Sequence, residues 1–327
     1  MAQRCTVTTI NDMVDSLVKS ANEDKAEYHE KLSVLRQYVL KHNLPSNTSE
    51  EDLGEKGYSL RATVWKTLMG VGKIDVGEYE SLVLKGPSRE HLRIREDALR
   101  TFRHDSEFQT RVPEDKLVRV LSAFVHWSER TSFHYRGGMN CLCAPFLYVM
   151  SEPEAFFCFR TLISKYVPQY AKYDKAIDAS GANLGCRILS NCLRHIEPDL
   201  FHYLERHGLA DATLYAFPAV STLGANVPPL AEILRLWDVQ LGFGAHMNIL
   251  FTLARLCISK DEIMASTKPM QVVNSLIGPR RYENGQENNA EIIIAKAIAI
   301  AKQLPEDFYW QLCEHTQHSI SMPRIPV

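Results

Sequence analysis

Apolar residues recur at three- and four-residue spacing along nearly the whole chain, and two-residue alternation is almost absent, so the pattern predicts an all-α fold. Tyr28, Leu32, Leu35, Tyr38 and Val39 mark an amphipathic helix within Asp24–Asn43, broken by the polar run after Pro45. We place a loosely attached N-terminal segment over 1–50. Ser59 stands as a cap before Leu60, Val64, Trp65 and Leu68, with Gly70 and Gly72 as the stop. Pro87 and Ser88 open the next helix, with Ser88 its expected cap. From Pro113, the residues Leu117, Val120, Leu121, Phe124 and Val125 form an inward stripe. Met139 to Met150 is apolar on nearly all sides and reads as a central buried helix. Phe156, Phe157, Phe159, Leu162 and Ile163 continue the rhythm over 152–166. Pro198 separates the helices 181–196 and 199–207, since proline removes an amide and clashes with the preceding turn. Further helices are expected at 214–223, 229–239, 245–258, 290–303 and 306–317, with a loop at 278–289 that carries Arg280, Arg281, Asn284 and Gly285.

The length of 327 residues suits one large helical domain or two fused lobes, and a hydrophobic share of 45% suffices for the core. A formal net charge of −2 gives no global attraction to nucleic acid or to an anionic membrane, so recognition falls to local surfaces. The eight cysteines lack C-x-x-C spacing and mostly sit in apolar runs, as buried thiols in a reducing compartment do. Asp12 and Asp15 interrupt any signal-peptide core, Ala2 excludes myristoylation, and the apolar runs are too short to span a bilayer. A soluble intracellular chain is expected.

Several chemistries fail on the residues. Gly70-Val71-Gly72-Lys73 is not a phosphate-binding loop, because Thr67 stands where its first glycine belongs and Ile74 where the magnesium-holding hydroxyl belongs. No H-E-x-x-H occurs, and Cys313, His315 and His318 lack a spaced fourth ligand, so they read as the exposed face of a terminal helix. G-x-S-x-G is absent as well. His126 reads as a satisfied boundary residue rather than a general base, and Arg280-Arg281 as a solvated turn.

Two stretches concentrate polarity. In Ile94-Arg95-Glu96-Asp97-Ala98-Leu99-Arg100-Thr101, helical spacing puts Asp97 one turn from Arg100 and on the same face as Thr101, so the carboxylate can hold the guanidinium in one orientation. In Tyr135-Arg136-Gly137-Gly138-Met139-Asn140, the diglycine predicts a tight turn that can approach a partner closely. Each alone is ordinary, since an Asp–Arg pair at this spacing is usually a surface ion pair worth about 0.3–0.5 kcal/mol. Their order relative to Arg61-x-x-x-Trp65 and Arg235-Leu236-Trp237-Asp238 raises their weight. Arginine stays protonated and cannot act as a base, so the chemical role open to Arg100 is to stabilise negative charge on another molecule's phosphoryl oxygens.

These ordered motifs resemble those of the TBC domain, the helical family of activators of Rab-like GTPases, over roughly residues 54–320, with 321–327 as a tail. Phe217-Pro218, Pro228-Pro229 and Leu236-Trp237-Asp238 further resemble the small fungal members that restrain mitotic exit or septation. The resemblance implies a two-lobed helical domain acting on a Ras/Rab-like small GTPase together with a scaffold protein, in the cytoplasm and at the spindle pole body. It implies no cofactor of the chain's own, since GTP and Mg²⁺ come with the GTPase. Arg100 would be the arginine finger and Asp97 its orienting partner. Thr101, Tyr135, Arg136, Gly138, Met139 and Asn140 would meet the GTPase, and Arg61, Trp65, Arg235, Trp237 and Asp238 would support the fold.

The family's Y-x-Q-G motif carries a glutamine that orients the attacking water, and Gly137 occupies that position here. Glycine cannot orient water. Three readings stay open: Arg100 works with a glutamine from the GTPase or a residue from a partner, Gly137 is an altered residue in an active lineage, or the domain only binds.

Overall fold

The computed structural model describes residues 2–45, 59–172, 181–278, 289–316 and 325. The polar breaker after Pro45, the boundary at 50–54, Arg280, Arg281, Asn284, Gly285, His318 and all of the tail but Ile325 lie outside the described residues. Among the described residues α-helices carry the fold, and an isolated antiparallel bridge joins Phe133 and Lys172. The chain divides into two compact units, one of residues 1–127, 143–162 and 237–242, the other of 128–142, 163–236 and 243–327.

The first unit begins with two helices, Ala2–Glu23 and Lys25–Lys41, where the pattern marks one. Asp24 separates them and caps the second by accepting from the Ala26 amide at 2.7 Å. Ile10, Val14 and Leu17 recur at helical spacing and are buried, as are Leu32, Leu35 and Val39, and both helices pack on helix Leu60–Leu68. Burying each such side chain stabilises by about 1.5–3 kcal/mol. The N-terminal segment is therefore packed into its unit, contrary to the loose attachment expected from its polar breaker. Arg61 fastens its end, donating from Nη2 to the Leu44 carbonyl at 3.0 Å and to Asn43 Oδ1 at 3.3 Å.

Ser59 caps helix Leu60–Leu68 as expected, accepting from the Ala62 amide. Ser88 does not cap the next helix. That helix runs His91–Arg100 with Glu90 at its cap position, and the Ser88 hydroxyl is buried without a hydrogen bond, because the chain makes one more turn in which the His91 amide reaches the Ser88 carbonyl. His126 is satisfied as anticipated, its Nε2 lying 3.0 Å from the Gly86 carbonyl oxygen.

The core of the second unit is helix Met247–Ile258, in which every residue from Met247 to Cys257 is buried. It packs against helices Gly181–Ile196, Thr213–Ser221 and Ala290–Gln303. Gly185 permits the close approach, since a Cβ there would stand 3.0 Å from Val220 Cγ1 and 3.2 Å from Ile249 Cδ1. Two short helices that the pattern does not mark, Lys260–Ala265 and Pro269–Ile277, follow. His315 lies in the core and not on an exposed face, with its Nε2 3.0 Å from the Tyr170 hydroxyl and its Nδ1 2.6 Å from the Leu312 carbonyl.

Candidate functional site

Helix His91–Arg100 turns Ile94, Asp97 and Ala98 inward and leaves Arg100 in its last turn, where a cation meets the negative end of the helix dipole. Arg100 Nη2 donates to Asp97 Oδ1 at 2.6 Å and Nε donates to the Glu96 carbonyl at 3.2 Å. The two side chains differ sharply in exposure, 69% for Arg100 and 11% for Asp97. A buried carboxylate thus grips one side of an exposed guanidinium. So exposed a pair adds about 0–1 kcal/mol to stability, so its main effect is to reduce the freedom of the arginine. Among the described residues nothing accepts from Nη1. Thr101 is buried, and its hydroxyl donates to the Asp97 carbonyl at 2.8 Å, at the end of the helix.

The stretch 135–140 belongs to the second unit. The His134 amide donates to the Ala171 carbonyl at 3.0 Å and Arg136 Nη2 to the Lys172 carbonyl at 2.8 Å, which tie the loop to the neighbouring segment. A tight turn forms as the diglycine predicts, with the Met139 amide 3.2 Å from the Arg136 carbonyl and Gly138 at φ +95°. A side chain at Gly138 would be strained by that angle and would meet Thr222 Cγ2 at 3.1 Å. Tyr135, Met139 and Asn140 are buried; Arg136 and Gly138 are half-buried and Gly137 is exposed. Of the residues of this turn expected to meet a partner, three are thus buried in the chain alone.

Two sequence marks more than 170 positions apart converge in the first unit. The fully buried Asp238 accepts from Arg61 Nε at 3.0 Å, from Arg61 Nη2 at 3.3 Å and from Trp65 Nε1 at 2.7 Å. Trp65 and Trp237 lie 5.8 Å apart between ring centroids, and Phe146 packs edge-on to both at 5.7 and 5.3 Å. Arg235 takes a separate place. It belongs to the second unit and donates from Nε to Glu291 Oε1 at 2.6 Å.

Sequence reasoning missed a further charged cluster in the first unit. Glu152 accepts from Arg119 Nη2 at 2.6 Å, from Arg119 Nε at 2.9 Å and from the Tyr79 hydroxyl at 2.8 Å. Burial raises the Glu152 carboxyl, and the hydrogen bonds from Arg119 and Tyr79 outweigh it, so the group sits below its usual range. Burial likewise pushes the Cys186, Cys192 and Cys257 thiols up to about 12, which leaves them unreactive at neutral pH. Among the described residues no cluster of His, Cys, Asp or Glu fits a metal ion, and no helix is long and apolar enough to cross a membrane.

Comparison with known proteins gives a consistent picture. The family model of the Rab-GTPase-TBC domain matches residues 58–264. The mitotic check point protein BUB2 of Saccharomyces cerevisiae is 30% identical over 311 residues, covering 90% of this chain and 95% of the yeast protein. Cell division control protein 16 of Schizosaccharomyces pombe is 32% identical over 262 residues, covering 80% of this chain and 82% of its own length. Among solved structures, the Ypt/Rab-GAP domain of Gyp1p superposes with a TM-score of 0.64 at 17% identity, covering 88% of this chain and 98% of that one, a likeness of fold.

Proposed function

This chain belongs to the Rab-GTPase-TBC domain family, and on that premise we propose that it stimulates GTP hydrolysis on a Ras/Rab-like small GTPase and so restrains mitotic exit or septation. The observation that carries the reading is Arg100, exposed at a helix end and held on one side by the buried Asp97. Bound to the GTPase, the guanidinium would leave water and place its Nη1 hydrogens on the phosphoryl oxygens where charge builds up during transfer. GTP and Mg²⁺ come with the GTPase. Gly137 supplies no side chain to orient the attacking water, so the GTPase's own glutamine or a residue of a scaffold partner does so. In this reading the chain is one half of a two-component activator, and the spindle pole body is the place where its relatives' mitotic roles lead us to look for it.

The test is single-turnover hydrolysis on a panel of purified GTP-loaded Rab- and Ras-like GTPases, with the chain alone and with candidate scaffold proteins. Arg100→Ala is expected to remove about 10³- to 10⁵-fold of the stimulation. Arg100→Lys should rescue little, because lysine lacks the planar fork. Equal stimulation by the wild type and Arg100→Lys would overturn the assignment.

The exposed, side-chain-free Gly137 favours a second reading, in which the domain binds and sequesters its GTPase without catalysis. Gly137→Gln separates the two. A large gain in stimulation without a partner supports a site otherwise built for catalysis, whereas tight binding with no stimulation in any mixture supports sequestration.

A further inference from the structure

The helix that carries Arg100 ends in a turn with an uncommon backbone. Phe102, two residues beyond the arginine, has φ +44°, a left-handed angle that residues with a Cβ rarely take. The last carbonyls of a helix have no partner within it. Here the side-chain amide of Gln109 supplies one from the next helix, Ser106–Arg111, donating from Nε2 to the Thr101 carbonyl at 2.9 Å and to the Phe102 carbonyl at 3.4 Å. That next helix is itself fixed. Asp105 caps it through the Phe108 amide at 2.9 Å, and the buried Phe108 packs on Phe102 at 4.9 Å and stacks on Tyr148 at 6.3 Å. Arg111 also lies over the Tyr148 ring, its Cζ 4.7 Å from the ring centroid.

We infer that Gln109 is a positioning residue for Arg100, an inference that rests on reading Arg100 as the group that meets the phosphoryl oxygens. Asp97 fixes the guanidinium relative to its own helix. Gln109 fixes the end of that helix relative to the core, through the carbonyl of the residue next to Arg100. The two act in series, and losing either lets the guanidinium drift from the place where it stabilises charge, where a displacement of about 1 Å costs on the order of 10²-fold. Gln109 lies at the surface, so its bonds contribute little to the stability of the whole chain, and the effect is concentrated in the turn.

The experiment uses the full chain with Gln109→Glu, which keeps the shape but sets a carboxylate oxygen against two carbonyls, and with Gln109→Lys, which restores a donor. Amide hydrogen exchange over residues 98–105 should accelerate in Gln109→Glu and recover in Gln109→Lys, while exchange in helix Glu114–Ser128 stays unchanged. On the responsive member of the GTP-loaded GTPase panel, Gln109→Glu should lower the maximal stimulated rate about tenfold, with half-saturation within about twofold of wild type. In an Arg100→Ala background the same substitution should lower the rate no further, since residues acting through one another are not additive. Unchanged exchange over 98–105 overturns the inference whatever the hydrolysis gives. Loss of stimulation with Arg100→Ala but not with Gln109→Glu also overturns it and leaves the finger standing, whereas full stimulation by Arg100→Ala removes the finger reading itself.

Discussion

Replacing Asp238 by Ala removes the acceptor of three hydrogen bonds at once, two from the Arg61 guanidinium and one from the Trp65 indole. Arg61 keeps its bonds to Leu44 and Asn43 but loses its counter-charge at a site where it is 3% exposed. Breaking a buried pair by removing one partner costs about 3–5 kcal/mol, because the remaining charge is left without compensation in a poorly solvated place. At about 2–4 °C per kcal/mol for a domain of this order of size, the midpoint of thermal unfolding should fall by about 10 °C. The double replacement Arg61→Met with Asp238→Leu should recover part of that loss, since apolar groups of similar volume substitute for a buried pair at little cost. Tryptophan fluorescence during urea unfolding reads the site directly, as Trp65 and Trp237 lie within it. The control is Arg95→Ala, which breaks the surface pair with Glu114, where the arginine side chain is 55% exposed and no buried charge is left behind. If Asp238→Ala moved the midpoint no further than Arg95→Ala, or if the double replacement were as damaging as the sum of its parts, the hub would not hold the first unit together as argued.

Two further outcomes follow from the geometry. The Glu152 carboxyl lies below its usual range in the folded chain, so its contribution is present above the unfolded carboxyl pKa and is lost as pH falls through the lower folded value; Glu152→Gln should be less stable than wild type near neutrality, with the gap closing in acid-titrated melts. Gly138→Ala forces a Cβ onto a left-handed backbone and against the Thr222 methyl, so it should cost about 1–2 kcal/mol; Thr222→Ser, which removes that methyl, should relieve the contact but not the backbone part, and equal stability of Gly138→Ala and wild type in calorimetry would refute the assigned strain.

What could be read from the chain followed the range of the interaction. Asp97 and Arg100 are three residues apart, and helical geometry alone predicts their meeting, which the structure shows at 2.6 Å. Arg61, Trp65 and Asp238 also stood out, but as separate marks, since nothing in spacing reveals that residues more than 170 positions apart share one carboxylate. Gln109 and Glu152 gave no signal at all; each is a common polar residue whose role comes from the carbonyls or donors that the fold brings to it. The first helix was missed for another reason. Its opening turns carry Thr6, Val7, Thr8 and Thr9, which have low helix propensity, and the buried stripe of Ile10, Val14 and Leu17 prevails over that weak preference. Burial was hidden too in Tyr135-Arg136-Gly137-Gly138-Met139-Asn140, where tyrosine, methionine and asparagine suit a contact surface and a core anchor equally.

That last stretch bears on how the missing glutamine should be understood. If the left-handed backbone angle fell on Gly137, a glycine there would be demanded by the turn and would say little about chemistry. The left-handed angle of the pair falls on Gly138, which also lies against Thr222, whereas Gly137 is exposed. The turn therefore accounts for one glycine of the two. A side chain at 137 would meet no left-handed penalty, so the backbone of the turn does not itself demand a glycine there. For the same reason Gly137→Gln is a fair test: failure to gain activity would weigh against a catalytic loop, and would not be expected as a mere by-product of a disrupted turn. On the function proposed above, the grip of Asp97 on Arg100 and the bare position at 137 would belong to an activator whose charge-stabilising half is its own and whose water-orienting half comes from another protein.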